Sequence, residues 1–215
     1  MKNDKGQTIA NIPGLDISDP KKDMSVFEMH MNQEALQLEE CYGKVLWWGM
    51  CFIKEKYTFE KSDLLFLIED NPIIPDGRNK VILSAIFYGL NGELFEALHI
   101  LAPQMEKLFR TIAEASGSVM AELKKDFTVQ EKLLTSIFDD EVLWDCYDND
   151  ILFLFKGLLN EKSGANIRNE IAHGVMTSGK GNSAVAIYFY CLVLRVLSFT
   201  SKGYYEIIKE IKEKS

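Results

Sequence analysis

The sequence predicts an all-α protein, and three observations carry that prediction. Apolar residues recur at spacings of three and four through almost every long segment. Those segments are bounded by helix signals, with Ser, Asp or Thr before them and Gly, Asn or Pro after them. Alternating apolar and polar runs of the kind a half-buried strand needs are nearly absent. With 215 residues, 47% of them hydrophobic, the chain is long enough to bury one sizeable core.

Residues 1–22 contain Gly6, Pro13, Gly14 and Pro20 without sustained periodicity, and are expected to form a flexible arm. Residues 23–90 are expected to form a helical region packed on the remainder. Asp23-Met24-Ser25 caps a long helix from Val26 to about Tyr57. Its apolar residues, among them Leu36, Leu38, Val45, Leu46, Trp47, Phe52 and Ile53, are too dense for one narrow stripe. Burial on more than one side is therefore expected, with a break possible at Gly43. Ser62-Asp63 caps a short helix over Leu64–Ile68, turns follow around Pro72 and Gly77, and a helix runs from Arg78 to Leu90.

Residues 91–215 are expected to hold the bundle itself. Glu93 opens a helix that meets Pro103, which either kinks it or starts a new one. Ser116-Gly117-Ser118 marks a loop, Thr128 suits the N-cap of a helix over Val129–Ile137, and 139–150 is strongly acidic. Helix is expected again over Ile151–Leu159, followed by a turn at Glu161–Gly164 and a two-turn helix beginning near Ile167. A loop over Thr177–Ser183 leads to a buried helix from Ala184 to about Ser201, then to an amphipathic helix over Tyr204–Lys212.

The net charge of −8 argues against a broad nucleic-acid-binding surface. The charge is unevenly spread. From residue 160 onward eight Lys/Arg face five Asp/Glu, a net of +3, which leaves −11 for the first 159 residues. The most apolar run, Ala184–Thr200, is interrupted by Arg195, so no membrane span is expected. The first twenty residues have no apolar stretch resembling a secretory signal. Cys41, Cys51, Cys146 and Cys191 form no C-x-x-C pair, which fits reduced thiols in the cytoplasm and no zinc site.

One stretch carries more chemistry than the rest, Asn166-Ile167-Arg168-Asn169-Glu170-Ile171-Ala172-His173-Gly174. Asn166 suits a helix N-cap and Gly174 the left-handed position just past a helix end. Asn169 and His173 share a face; Arg168 lies roughly 140° around the helix from His173, with a side chain long enough to reach back. Histidine exchanges protons near neutral pH and can take one from a ribose 2′-hydroxyl or give one to a leaving 5′-oxygen. Arginine can hold the phosphate and its growing negative charge. Asparagine can orient either. A lone R-x-x-x-x-H is also compatible with an ordinary structural histidine.

The run Gly164 to Gly174 resembles the signature of a domain family defined by an RN-x-x-x-HG motif, found also in the endoplasmic-reticulum-membrane-associated RNA degradation protein. The run Phe95 to Arg110 resembles that family's first helix, so the resemblance spans about Gly89 to Leu197. At a broader level the motif is similar to the R-x(4–6)-H of HEPN domains. That resemblance implies a HEPN-like helical bundle and a metal-independent endoribonuclease needing no cofactor. Arg168, Asn169 and His173 would be its catalytic residues. It also implies RNA as partner, a homodimer with a composite active site, and a place in a toxin–antitoxin or phage-defence system with a partner protein. Its alternative is a non-catalytic module for RNA or nucleotide binding, or for protein assembly.

His99, Pro103, Glu106 and Arg110 are spaced to share one helical face. As candidate substrate-binding residues, Glu106 would orient Arg168, Arg110 would contact phosphate, and Lys180 would steer RNA toward the motif. Other patterns are weaker. His30 and Glu34 lack a third metal ligand, and the acidic run 139–150 reads as a solvated turn. Trp47 and Trp48 read as core rather than as base-stacking platforms. Gly179-Lys180-Gly181 lacks the remaining residues of a phosphate-binding loop.

Overall fold

The computed structural model describes residues 13–14, 24–124, 127–203, 206 and 209. The expected arm over 1–22 and the expected helix over Tyr204–Lys212 lie almost wholly outside the described residues. The architecture is all-α with one small hairpin. Its helices are α1 (Met24–Lys56), α2 (Asn79–Leu90), α3 (Leu94–Ala115), α4 (Leu134–Phe138), α5 (Glu141–Cys146), α6 (Asn149–Leu159), α7 (Ile167–Ala172), α8 (Ser178–Gly181) and α9 (Ala184–Thr200). A 3-10 helix, Lys61–Leu67, precedes α2. The strands β1 (Ala121–Leu123) and β2 (Val129–Glu131) pair antiparallel, with Glu122 opposite Gln130.

Local chemistry accounts for several of these boundaries. The carboxylate of Asp148 accepts the Ile151 N–H at 3.0 Å and starts α6, and Ser183 caps α9 by accepting the Ala186 N–H. Asn91-Gly92 ends α2, with Gly92 at φ +87°. α3 runs unbroken through Pro103, which lies exposed on its outer side.

Phenyl rings knit the centre. Phe109 of α3 meets Phe138 of α4 and Phe155 of α6 with centroids 5.2 and 5.1 Å apart, and Phe155 meets Phe189 of α9 edge-on at 6.1 Å. Tyr190 is buried, donates its hydroxyl to the Ile86 carbonyl at 2.6 Å, and lays its ring over Gly89, where a Cβ would sit 2.2 Å from it. Leu64, Ile68, Ile82 and Ile86 join this same core, so residues on both sides of position 90 share it. Burial pushes the Cys191 thiol up to about 11, which removes it as a nucleophile at neutral pH.

The structure corrects four expectations. α1 is not buried on several sides: its buried residues are Asn32, Glu39 and Gly43, while Trp47 is 43% and Trp48 74% exposed. Nor does it break at Gly43. That glycine is where α1 touches α9, and an added Cβ would lie 1.9 Å from the Ala184 carbonyl oxygen. Val129–Glu131 is a strand rather than the start of a helix, and α4 begins only at Leu134, with Leu133 rather than Thr128 at its N-cap. The segment after Thr177 is helical rather than loop, with Thr177 accepting the Lys180 N–H.

Two outcomes are expected. Gly43→Ala should force α1 away from α9 and lower unfolding free energy by about 1–3 kcal/mol, read by urea denaturation; an unchanged midpoint would contradict the contact. Burial of Glu39 pushes its carboxyl from 4.5 up to about 7, so between those values the folded chain binds more protons than the unfolded one. Its contribution therefore weakens stability as pH rises from 4.5 to 7 and stays constant above. Glu39→Gln should remove that decline and add up to about 3 kcal/mol at pH 8 relative to pH 4, and parallel pH profiles for the two proteins would refute it.

Candidate functional site

The motif helix is placed by the turn before it. Ser163 is buried and accepts the Asn32 side-chain N–H of α1 at 3.1 Å, while Gln33 donates to its carbonyl. Gly164 lies so close to Gly157 of α6 that a Cβ would come within 2.2 Å of the Gly157 carbonyl oxygen. Any larger residue there would lift the motif off the bundle. Asn166 then adopts the left-handed conformation, φ 54° and ψ 31°, and its side chain makes no cap to α7. Its Oδ1 instead accepts from Asn169 Nδ2 at 2.7 Å. Asn166 thus stands at the expected N-cap position of α7, and its side chain brackets Asn169 instead of capping the helix.

α7 docks through buried Ile167 and half-buried Ile171. Its C-terminus closes with two bonds, Val175 N–H to the Glu170 carbonyl at 2.9 Å and Gly174 N–H to the Ile171 carbonyl at 3.0 Å. This double closure needs a left-handed residue, and Gly174 supplies it at φ +65°.

The structure brings Arg168, Asn169 and Glu106 into one hydrogen-bonded unit. Arg168 Nε and Nη2 both reach Glu106 Oε2, at 3.0 and 2.9 Å, and Nη1 donates to Asn169 Oδ1 at 3.0 Å. Glu106 is shared, because Arg110 Nη2 lies 3.4 Å from its other oxygen. Arg110 is 6% exposed and further held by Glu131 at 2.7 Å and by the Lys132 carbonyl at 2.6 Å. Its guanidinium anchors the hairpin to α3 through these contacts.

His173 stands apart from that unit. It is exposed at the end of α7, and its imidazole has no hydrogen-bond partner among the described residues. His99 is two turns before Glu106 on α3; its Nδ1 bonds to the Phe95 carbonyl at 2.8 Å and its ring lies 4.2 Å from the Phe95 ring. Phe95 in turn fits against Gly181, where a Cβ would be 2.4 Å away. Lys180, next in chain, pairs with Glu170 at 2.6 Å. So α3, α7 and α8 converge, and Lys180 meets the motif helix through its acidic residue. Glu131 and Lys132 were not among the candidates; they reach Arg110 from a hairpin distant in sequence, which no spacing rule encodes.

Comparison of the chain with protein-family models, curated proteins and solved structures gives no match. The site therefore stands on its own geometry. His30 is 2.9 Å from the Pro13 carbonyl rather than part of a ligand set, and no group of three or more His, Cys, Asp or Glu able to hold a metal occurs among the described residues.

Glu106→Ala should leave two guanidinium groups without their shared carboxylate and cost about 3 kcal/mol in chemical denaturation. A loss below roughly 0.5 kcal/mol, the range of ordinary surface substitutions, would show that the unit does not hold α3 to α7. Gly174→Ala should cost about 1–2 kcal/mol through its left-handed backbone alone.

Proposed function

We propose that this chain is a HEPN-like endoribonuclease that cleaves RNA without a metal. The observation that supports this most is the contrast within one short helix: Arg168 is held in a fixed direction, and His173 is left exposed and unbonded at the end. In this reading His173 Nε2 or Nδ1 takes the proton from a ribose 2′-hydroxyl. The 2′-oxygen attacks phosphorus, the bond to the 5′-oxygen breaks, and a proton delivered to that oxygen completes the step. The products are a 2′,3′-cyclic phosphate and a 5′-hydroxyl end. Base and acid are two groups, and a composite cleft in a homodimer supplies the second as another copy of His173. Arg168 contacts phosphate through the N–H groups it does not spend on Glu106 and Asn169. Lys180, beside the motif helix, steers RNA toward it, and the net charge of +3 after residue 160 in an otherwise acidic chain fits that role. A cytoplasmic setting and a neutralising or defence partner belong to the same proposal. No helix of the described residues is long and apolar enough to cross a membrane.

A second reading has its own support. Glu106 and Asn169 already engage three of the five N–H groups of Arg168, which suits a structural clamp in a non-catalytic RNA-binding or assembly module.

Purified protein incubated with several RNA classes in EDTA separates the two. The nuclease reading expects cyclic-phosphate products and a loss of at least 100-fold in His173→Ala, the scale of general acid–base catalysis, with unchanged folding. Wild-type protein that cleaves none of the RNAs, or a His173→Ala protein that cleaves equally, overturns it.

A further inference from the structure

α1 shows solvent a coiled-coil seam. Met24, Met31, Leu38, Val45 and Phe52 recur at an interval of seven, the period at which a helix meets another helix. All five are exposed, from 42% at Met31 to 68% at Val45. Beside them Tyr42 is 58% and Trp48 74% exposed, and Cys41 and Gly49 face outward as well. Scattered apolar side chains on a surface mean little, but a continuous row at this period does. Between Leu38 and Phe52 the row contains no charge; Lys44 and Glu40 pair with each other at 2.9 Å on another side of the helix. The stripe cannot turn inward, because the opposite side holds Glu39 and Gly43 against the body of the protein.

The charges on α1 identify the occupant. Its first half carries Glu28, Glu34 and Glu40 at the surface and no Lys or Arg, whereas its last turn carries Lys54 and Lys56 around a single acid, Glu55. A parallel copy would set acid on acid. An antiparallel copy centred on Val45 sets Glu34 opposite Lys56, Leu38 opposite Phe52, Tyr42 opposite Trp48, and Cys41 opposite Gly49. The small pair lets the helices approach while the aromatic pair fills the flanks, and the two helix dipoles also oppose. A standard interface takes about 800 Å² from each partner. Aromatic side chains contribute about 150–250 Å² each when buried, so the exposed parts of Tyr42, Trp48 and Phe52, with the aliphatic row, supply a large share.

We propose that two copies of this chain pair through α1, antiparallel and centred on Val45. The pairing does not rest on the reading of Arg168 and His173, and its test reads mass rather than RNA cleavage.

Analytical ultracentrifugation over a dilution series should show a dimer at micromolar concentration. Val45→Glu and Trp48→Glu should be monomeric with unchanged circular dichroism, since both sites are exposed within the single copy. Glu34→Lys should weaken pairing by about tenfold, and combining it with Lys56→Glu should restore it. Under mild oxidation Val45→Cys should cross-link into a covalent dimer, while wild-type Cys41, about 12 Å along the seam from its counterpart, should not. A wild-type monomer, a dimer that survives Val45→Glu, or a wild-type link between Cys41 residues each overturns the proposal. So does a monomer that pairs only after residues 1–22 are removed, because the arm would then be the occupant.

Discussion

One carboxylate serves two guanidinium groups in this protein, and the arrangement around the motif depends on it. Glu106 is 15% exposed on its side chain, and its oxygens face Arg110 on one side and Arg168 on the other. Without it two cations would lie at close quarters in poorly hydrated surroundings, Arg110 almost wholly buried. The buried Nε of Arg110 already lacks a hydrogen-bond partner among the described residues, so that side chain has little room to rearrange. Glu131 adds the second negative charge, making the cluster close to neutral. Through it α3 fixes both the hairpin and the motif helix.

That balance limits what Arg168 can do. A guanidinium facing solvent presents five donors and a full charge, whereas one facing a carboxylate presents the remainder of its donors and a charge largely cancelled nearby. Its side chain is 27% exposed, so its outer N–H groups still meet solvent. What Glu106 and Asn169 provide in return is direction: three bonds hold the plane of the guanidinium, so little rotamer freedom is lost when a ligand arrives. The same three bonds would be equally useful to a purely structural arginine. His173 differs from it in being exposed, with no side-chain partner among the described residues.

The sequence made much of this visible. The limits of α2, α6, α7 and α9 lie close to those that apolar periodicity marks, with side-chain caps starting α6 and α9, and Gly174 falls where a helix end needs a left-handed residue. The hairpin was hidden because its strands have three residues each and show no buried face. Asn166 stands at the N-cap position the sequence marks, but only the folded geometry shows that its side-chain oxygen is spent on Asn169. α1 was misjudged for a deeper reason. Apolar density reports that a face avoids water, not which molecule covers it, and the core account of Trp47 and Trp48 assumed that the cover came from the same chain.

The position of α1 ties its outer face to the motif by a short path of rigid contacts. Gly43 lies against the backbone of Ala184, the first residue of α9. Immediately before it come Ser183, which caps α9, and Gly181, which seats on Phe95 of α3 beside His99. Lys180 leaves that same turn to pair with Glu170, whose carbonyl closes the end of α7 next to His173. Gly43 against Ala184 and Gly181 against Phe95 are close approaches with no room for a Cβ, while Ser183 and Lys180 add hydrogen-bonded links through their side chains. A displacement of α1 must therefore move α9 or open the contact at Gly43.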